Sequence, residues 1–424
     1  MVISNELIEK AKNFKILAPA GDWSSLRTAV KAGADSVYFG IADFNMRATA
    51  SRNFQISDLK EISKYCKDNN VETCITVNTV MYNSDLDTMK KVINSVKDSG
   101  CDAVIVADIA ALTYANEIGI QAYVSTQLSV SNIETVKFFS KYTNRIILAR
   151  ELTIEQVKEI VEQIKKENIT GPNGKLVEIE IFGHGALCVA VSGRCSMSLY
   201  CYNSSANKGK CTQVCRRKYK VTDMETGKEL VVDNNYMMSP KDLSTIGLLP
   251  EIIDSGAVIL KLEGRGRPPE YVDTVVKCYK EAIQSIIDNT YSEKKISKWN
   301  ERLGTVFNRG MSMGMYMGRH WDEWANGSGN QATKEKTLVG KVIHYFPKAK
   351  VAHIKIHGDI EIKEGEEYLI TGERTGLVKG TFENMMLDTK SFTNVKQGDE
   401  FTIKIEEVVH KNDDIFVFRN RNNC

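Results

Sequence analysis

One local pattern recurs eight times between the N-terminus and residue 265. A short run rich in β-branched residues is followed each time by a stretch of helical period. The candidate strands are Phe14–Ala18, Asp35–Gly40, Glu72–Val77, Asp102–Ala107, Gln121–Ser125, Arg145–Ala149, Val177–Gly183 and Ala257–Glu263. Between them lie segments such as Ser24–Gly33, which ends in the glycine expected just past a helix C-terminus. Strand–helix alternation implies a parallel sheet, and eight such units in about 250 residues fit a closed barrel. The expected fold class is therefore α/β, a (β/α)8 TIM-type barrel. An open doubly wound sheet is the rival. No Gly-x-Gly-x-x-Gly follows any candidate strand, which removes the usual dinucleotide signature.

Beyond residue 335 the period changes to two. Val342–Phe346, Val351–Ile356, Glu367–Ile370, Phe401–Ile405 and Asp414–Phe418 alternate apolar with polar residues and are separated by turn residues. The expected organisation is a barrel over 1–290 that includes a cysteine-rich insertion at 184–240 after the seventh strand. A helical linker over 291–335 and a small C-terminal antiparallel β-barrel over 336–424 follow. With 56 Lys and Arg against 54 Asp and Glu, the formal charge of +2 carries no global nucleic-acid signature. The first residues lack the layout of a signal peptide, and no apolar run approaches the ~18 residues of a membrane span. A cytoplasmic protein is expected, in which clustered cysteines serve metal or redox chemistry before disulfides.

Five of the ten cysteines lie between 188 and 215, and four of them read Cys188-x6-Cys195-x15-Cys211-x3-Cys215. Structural zinc sites use two tight pairs, and here only Cys211 and Cys215 form one. The wider first pair suits an iron–sulfur cube better, although spacing leaves zinc open. Cys201, between the pairs, reads as a packed or spare thiol. Cys66, Cys74, Cys101, Cys278 and Cys424 are scattered singly and read as incidental.

The segment from Lys208 to Lys220 carries six cations and no acid. Lys208, Lys210, Arg216, Arg217 and Lys218 either offset a negative cluster or track nucleic-acid phosphates, with Tyr200, Tyr202 and Tyr219 available for stacking. Lys261, Glu263 and Arg265 close the eighth strand, where barrels commonly receive anionic ligands. Asp22 follows the first strand, and acts chemically or caps the next helix. Asn45 and Arg47, Asn78, Asp108 and Gln127 follow the second to fifth strands on the same rim. His184 ends the seventh strand, a proton donor or a partner of the cluster in one reading and a hydrogen-bonded strand-end histidine in the other.

Several of these segments together resemble the collagenase-like peptidase family U32. They are Ala18-Pro-Ala-Gly-Asp22, Gly40 with Phe44-Asn-Met-Arg-Ala48, Phe182 to Ser198, Ser239-Pro-Lys-Asp-Leu243 and Lys261-Leu-Glu-Gly-Arg265. The resemblance covers roughly 14–320. Length and the added β-domain are similar to the subgroup that makes 5-hydroxyuridine at the tRNA wobble position. For this chain the resemblance implies a [4Fe–4S] cluster on Cys188, Cys195, Cys211 and Cys215. It also implies an oxygen-independent reaction with prephenate as co-substrate, a tRNA partner, and a partner protein of the same family. Related proteins hydroxylate 23S rRNA or ubiquinone precursors. On that reading Arg47, Lys261 and Arg265 bind anionic groups, Glu263 joins them in binding substrate, and Asp22 and His184 move protons. The segment Asn207-Lys-Gly-Lys210 departs from the Asn-Arg-Gly of relatives, and Cys201 is an extra thiol. The peptidase label finds no activated serine and no His-Glu-x-x-His here. Peptide hydrolysis and non-catalytic RNA binding around a structural metal remain the alternatives.

Overall fold

The structure is a computed structural model that describes residues 3–41, 45–48, 53–230, 236, 238–318, 323–327 and 329–421. Phe44 and Cys424 lie outside the described residues. The eight expected strands form β1 (Lys15–Pro19), β2 (Ser36–Gly40), β3 (Glu72–Val77), β4 (Ala103–Val106), β5 (Gln121–Val124), β6 (Arg145–Ile147), β7 (Glu178–Ala186) and β8 (Ile259–Leu262). Each pairs in parallel with the next, and β8 returns to β1 with Ile16 opposite Leu260. The barrel is closed. Its strands are buried on both faces because helices cover the outside, so they read as continuous apolar runs. The helix Ile154–Lys166 shows the complementary logic. Thr153 and Gln156 cap its start reciprocally, while Ile154, Val157, Ile160, Val161 and Ile164 form the stripe packed on the sheet.

β7 runs past the rim. Its end pairs antiparallel with the short strand Asp242–Ser244, which in turn takes Met311–Ser312. Two glycines permit this close passage. A Cβ on Gly183 would lie 2.4 Å from Leu260 Cγ, and one on Gly185, whose φ is +100°, would lie 2.3 Å from the Glu263 carbonyl oxygen. The chain between β7 and Asp242 is the cysteine-rich insertion, so the strand extension carries it over the barrel mouth.

In the 291–335 segment, Glu293–Gly304 is a helix whose Trp299 and Leu303 join the barrel core. The described residues between 305 and 333 are mostly irregular, yet Val306 and Tyr316 are buried in that same core. The C-terminal region is an eight-stranded antiparallel sheet around its own apolar core. It contains the five expected strands. It also contains Gly376–Thr381, interrupted by two glycines, and the three-residue strands Met385–Leu387 and Lys390–Phe392, too short to show a period of two. The sheet docks on the barrel's outer helices. Lys336 meets Glu270 at 2.9 Å, Lys379 meets Asp273 at 2.7 Å, and Arg27 Nε donates to the Glu373 carbonyl at 2.8 Å. Among the described residues no helix is long and apolar enough to cross a membrane.

Candidate active site at the barrel mouth

The insertion is tied to three loops of the rim, those after β2, β3 and β6. Val80 N donates to the Asn207 carbonyl at 3.0 Å, and Lys208 pairs with Asp85. Ser192 N donates to Glu151 Oε1 at 2.7 Å. A Cβ on Gly209 would fall 2.2 Å from the Asn45 carbonyl oxygen, which shows how closely the insertion lies on the loop after β2. Inside the insertion, the Asn207 side chain accepts from Cys195 N at 3.2 Å and donates to the Cys195 carbonyl at 3.3 Å. Arg216 donates to the carbonyls of Leu187 and Pro240 and to Ser239 Oγ, joining both ends of the insertion.

Beneath this cover is a cavity of about 200 Å³. Cys188, Cys195, Cys211 and Cys215 all line it, and Cys201, which is exposed, does not. Burial raises the Cys215 thiol, Arg216 lowers it, and Cys188, Cys211 and Cys195 raise it again as like charges. The thiols therefore share one electrostatic neighbourhood. Backbone N–H groups of Ala190 and Met197 donate to the sulfurs of Cys188 and Cys195, both at 3.4 Å. Such bonds stabilise thiolate ligands. Among the described residues, no three His, Cys, Asp or Glu side chains close tightly enough to hold a single metal ion. An all-thiol donor set on the lining of one cavity, beside arginines, is the donor chemistry that soft metals and iron–sulfur clusters take.

The opposite charge dominates the rest of the lining. Arg47, Arg150, Arg216, Lys261, Arg265, Arg267 and Arg309 face the cavity, with Glu263 the single carboxylate among the described lining residues. From behind, Glu180 takes Lys261 at 3.0 Å and Asp242 takes Arg309 at 3.0 Å. Glu263 accepts from Arg47 at 2.9 Å and from the Tyr38 hydroxyl at 2.8 Å. Burial alone would raise its carboxyl, but Arg47, Arg150 and Arg265 outweigh burial and hold it at about 2. Arg265 is buried and donates to Thr76 Oγ1 and Asn45 Oδ1, both at 2.8 Å; burial pulls it down to about 10, still cationic at neutral pH. Glu263 strengthens the Arg47 charge, and Cys211 adds to it, which sets this cation beside the thiol wall.

Other expected site residues have different tasks. Asp22 is the N-cap of the helix Trp23–Lys31, accepting from Ser25 N at 2.8 Å, and lines a separate cleft against the C-terminal sheet. Its carboxylate is engaged in capping and does not face the cavity. His184 likewise is not among the residues that line the cavity. Its ring lies behind the strand, 3.4 Å from the Tyr279 hydroxyl, and burial lowers its pKa to about 3, so it stays neutral. Arg216 is a buckle of the insertion, unlike Lys210, Arg217 and Lys218, which are exposed. Lys208 is half-buried and lies over the Tyr82 ring at 4.7 Å. Asp108 caps the helix Ile109–Glu117. Tyr38, Arg150, Arg267 and Arg309 also line the cavity and escaped sequence reasoning. Arg150 alone had a usable signal, a cation directly after the apolar sixth strand.

A TIM-type barrel whose mouth is covered by a four-thiol insertion above an arginine-rich cavity is the class that fold and site define. The comparisons make the class specific. The family model described as "Peptidase family U32" matches residues 21–326, and the chain belongs to that family. It is 45% identical over 409 residues to a protein named "Collagenase" from Porphyromonas gingivalis, covering 96% of this chain and 99% of that one. It is 30% identical over 342 residues to "tRNA hydroxylation protein P1" of Bacillus subtilis, covering 79% and 78%. It is 32% identical over 289 residues to a 23S rRNA 5-hydroxycytidine synthase of Escherichia coli, covering 68% and 41%.

Proposed function

We propose that this protein hydroxylates a pyrimidine base of RNA, with the wobble uridine of tRNA as substrate and 5-hydroxyuridine as product. The observation that carries the reading is the meeting of four insertion thiols and seven cations on one cavity at the barrel mouth. Relatives named for tRNA and rRNA hydroxylation support the same class of enzyme. Cys188, Cys195, Cys211 and Cys215 would hold a [4Fe–4S] cluster, which supplies Lewis-acidic iron and one-electron steps when bound.

Replacing C5–H by C5–OH adds one oxygen atom and removes two electrons from the base. In an oxygen-independent reaction both requirements fall on a co-substrate, for which prephenate, a dicarboxylate, is the proposed compound. The chain's own residues fit that dianion. Lys261 and Arg309 are neutralised from behind and Arg47 by Glu263, and Arg216 is engaged by carbonyls of the insertion, which leaves Arg150, Arg265 and Arg267 for a carboxylate from outside the chain. Guanidinium groups in a site shielded from water bind carboxylates through paired N–H donors. A wobble base in a single-stranded loop reaches such a pocket without duplex opening. Lys210, Arg217 and Lys218 on the outside of the insertion would hold the adjoining phosphates.

The collagenase name of one relative favours peptide hydrolysis as a second reading. Against it, no histidine is among the described residues that line the cavity, so no cysteine there has a histidine base.

The deciding experiment is nucleoside analysis of RNA from a strain lacking the gene. Loss of 5-hydroxyuridine-derived nucleosides, restored by the wild-type chain and not by Cys195→Ser, is expected. An unchanged nucleoside profile, with peptide cleavage by the iron-free chain, would establish the second reading instead.

A further inference from the structure

Three polar side chains on the cavity wall form a chain of hydrogen bonds with a fixed direction. Asn78 follows β3, and Ser125 and Gln127 follow β5. The backbone N–H of Met46 donates to Asn78 Oδ1 at 3.3 Å. A backbone N–H has no acceptor form, so it determines which end of the Asn78 amide faces it. Asn78 Nδ2 is thereby turned the other way, 3.4 Å from Gln127 Oε1 and 3.5 Å from Ser125 Oγ. The Ser125 hydroxyl donates to the same Gln127 oxygen. With that oxygen occupied by two donors, Gln127 presents its NH2 group outward. Flipping Gln127 would replace the Asn78–Gln127 hydrogen bond by a contact of one NH2 group against another at 3.4 Å, a donor facing a donor. Among the described residues nothing accepts from Gln127 Nε2. A Cβ built on Gly193, in the turn between Cys188 and Cys195, would lie 3.9 Å from that nitrogen.

The geometry points to Gln127 as the residue that selects the base: its NH2 donates to the C4 carbonyl of uracil and refuses the C4 amino group of cytosine. This assignment rests on the hydroxylase reading and deepens it. Uracil and cytosine differ at that edge by an acceptor against a donor. A donor meeting a donor leaves two polar groups unpaired in a site shielded from water, a discrimination of about tenfold to a hundredfold. Asn78 and Ser125 are positioning residues, since they act through the orientation of Gln127.

The test uses the iron-loaded enzyme, prephenate, and two anticodon stem-loop RNAs that carry uridine or cytidine at the wobble position. Both RNAs compete in one reaction, and the hydroxylated nucleosides are counted by mass spectrometry. Because both products arise from the same enzyme molecules, their ratio is independent of the fraction folded. Gln127→Glu, which puts an acceptor where the donor was, is expected to move the uridine-to-cytidine ratio at least about tenfold toward cytidine. Gln127→Met, which offers neither, is expected to narrow the ratio without reversing it. Competitive binding of the two stem-loops to the same variants reads the preference without turnover, should either variant be inactive. An unchanged ratio in both variants, or a change confined to the KM for prephenate, overturns the assignment. Failure of the wild-type enzyme to hydroxylate either RNA removes the hydroxylase reading, and this inference with it.

Discussion

Arg47 reaches from the loop after β2 to Glu263 just past the end of β8, placing Nη2 at 2.9 Å and Nε at 3.2 Å from the same carboxylate oxygen. The pair joins residues 216 positions apart. It fixes one cation of the cavity beside the thiols and keeps the Glu263 carboxylate ionised. That arrangement gives the protein a defined response to acid.

His184 and Glu263 have folded-state pKa values below their ordinary ones, about 3 against 6.5 and about 2 against 4.5. In both cases the unfolded chain takes up the proton first. Their stabilisation is complete above the ordinary value and is lost as the pH falls toward the folded one. The window for His184 opens near pH 6.5, and that for Glu263 only near pH 4.5. Between pH 7.5 and 5 the expected loss from His184 is therefore about 2 kcal/mol. Urea midpoints at the two pH values should show it, and His184→Asn should flatten the difference. An equal slope in that variant would refute a neutral buried His184.

Lys261 and Glu180 form an ion pair inside the barrel, with side chains 7% and 0% exposed. Removing one partner leaves the other charge buried and uncompensated. Lys261→Met is expected to cost about 3–5 kcal/mol in urea denaturation. Adding Glu180→Leu should recover most of that loss, since an apolar pair of similar volume needs no hydration. If the double variant is no more stable than the single one, the pair is not what holds this layer together.

Iron content should separate the five clustered cysteines. After anaerobic purification, Cys195→Ser and Cys211→Ser are expected to lose iron, sulfide and visible absorbance together, because both line the cavity wall. Cys201→Ser should keep all three, since Cys201 is exposed and off that wall. Equal iron loss in all three variants would mean that the donor set is not the one the cavity assembles.

RNA binding should depend on the exposed cations individually. Arg217→Ala and Lys210→Ala are each expected to reduce the slope of log affinity against log salt by about 1, equally for uridine and cytidine stem-loops. Lys208→Ala should change it less, because Asp85 already holds that ammonium group. A slope indifferent to Arg217 and Lys210 would place the RNA on another face.

By itself the sequence determined the eight strands, the C-terminal change of period and the identity of the clustered thiols. A strand buried on both faces must be apolar throughout, and its helix must be apolar on one stripe, so both leave their mark within a few residues of chain. Which polar rim residues face the cavity and which cap helices or pack behind the strands was decided only by tertiary structure. Asp22 and Arg47 look alike in sequence, each a charged residue just beyond a strand. One satisfies the helix that follows it, while the other crosses the mouth to Glu263. His184 stands next to the cysteine motif in the chain, yet packs behind the strand against Tyr279. Barrel closure, which brings β8 against β1 and lays the insertion over the mouth, produces these partnerships. Hydrogen bonds and ion pairs depend on distances that the closed barrel sets across hundreds of residues, and no local pattern encodes them.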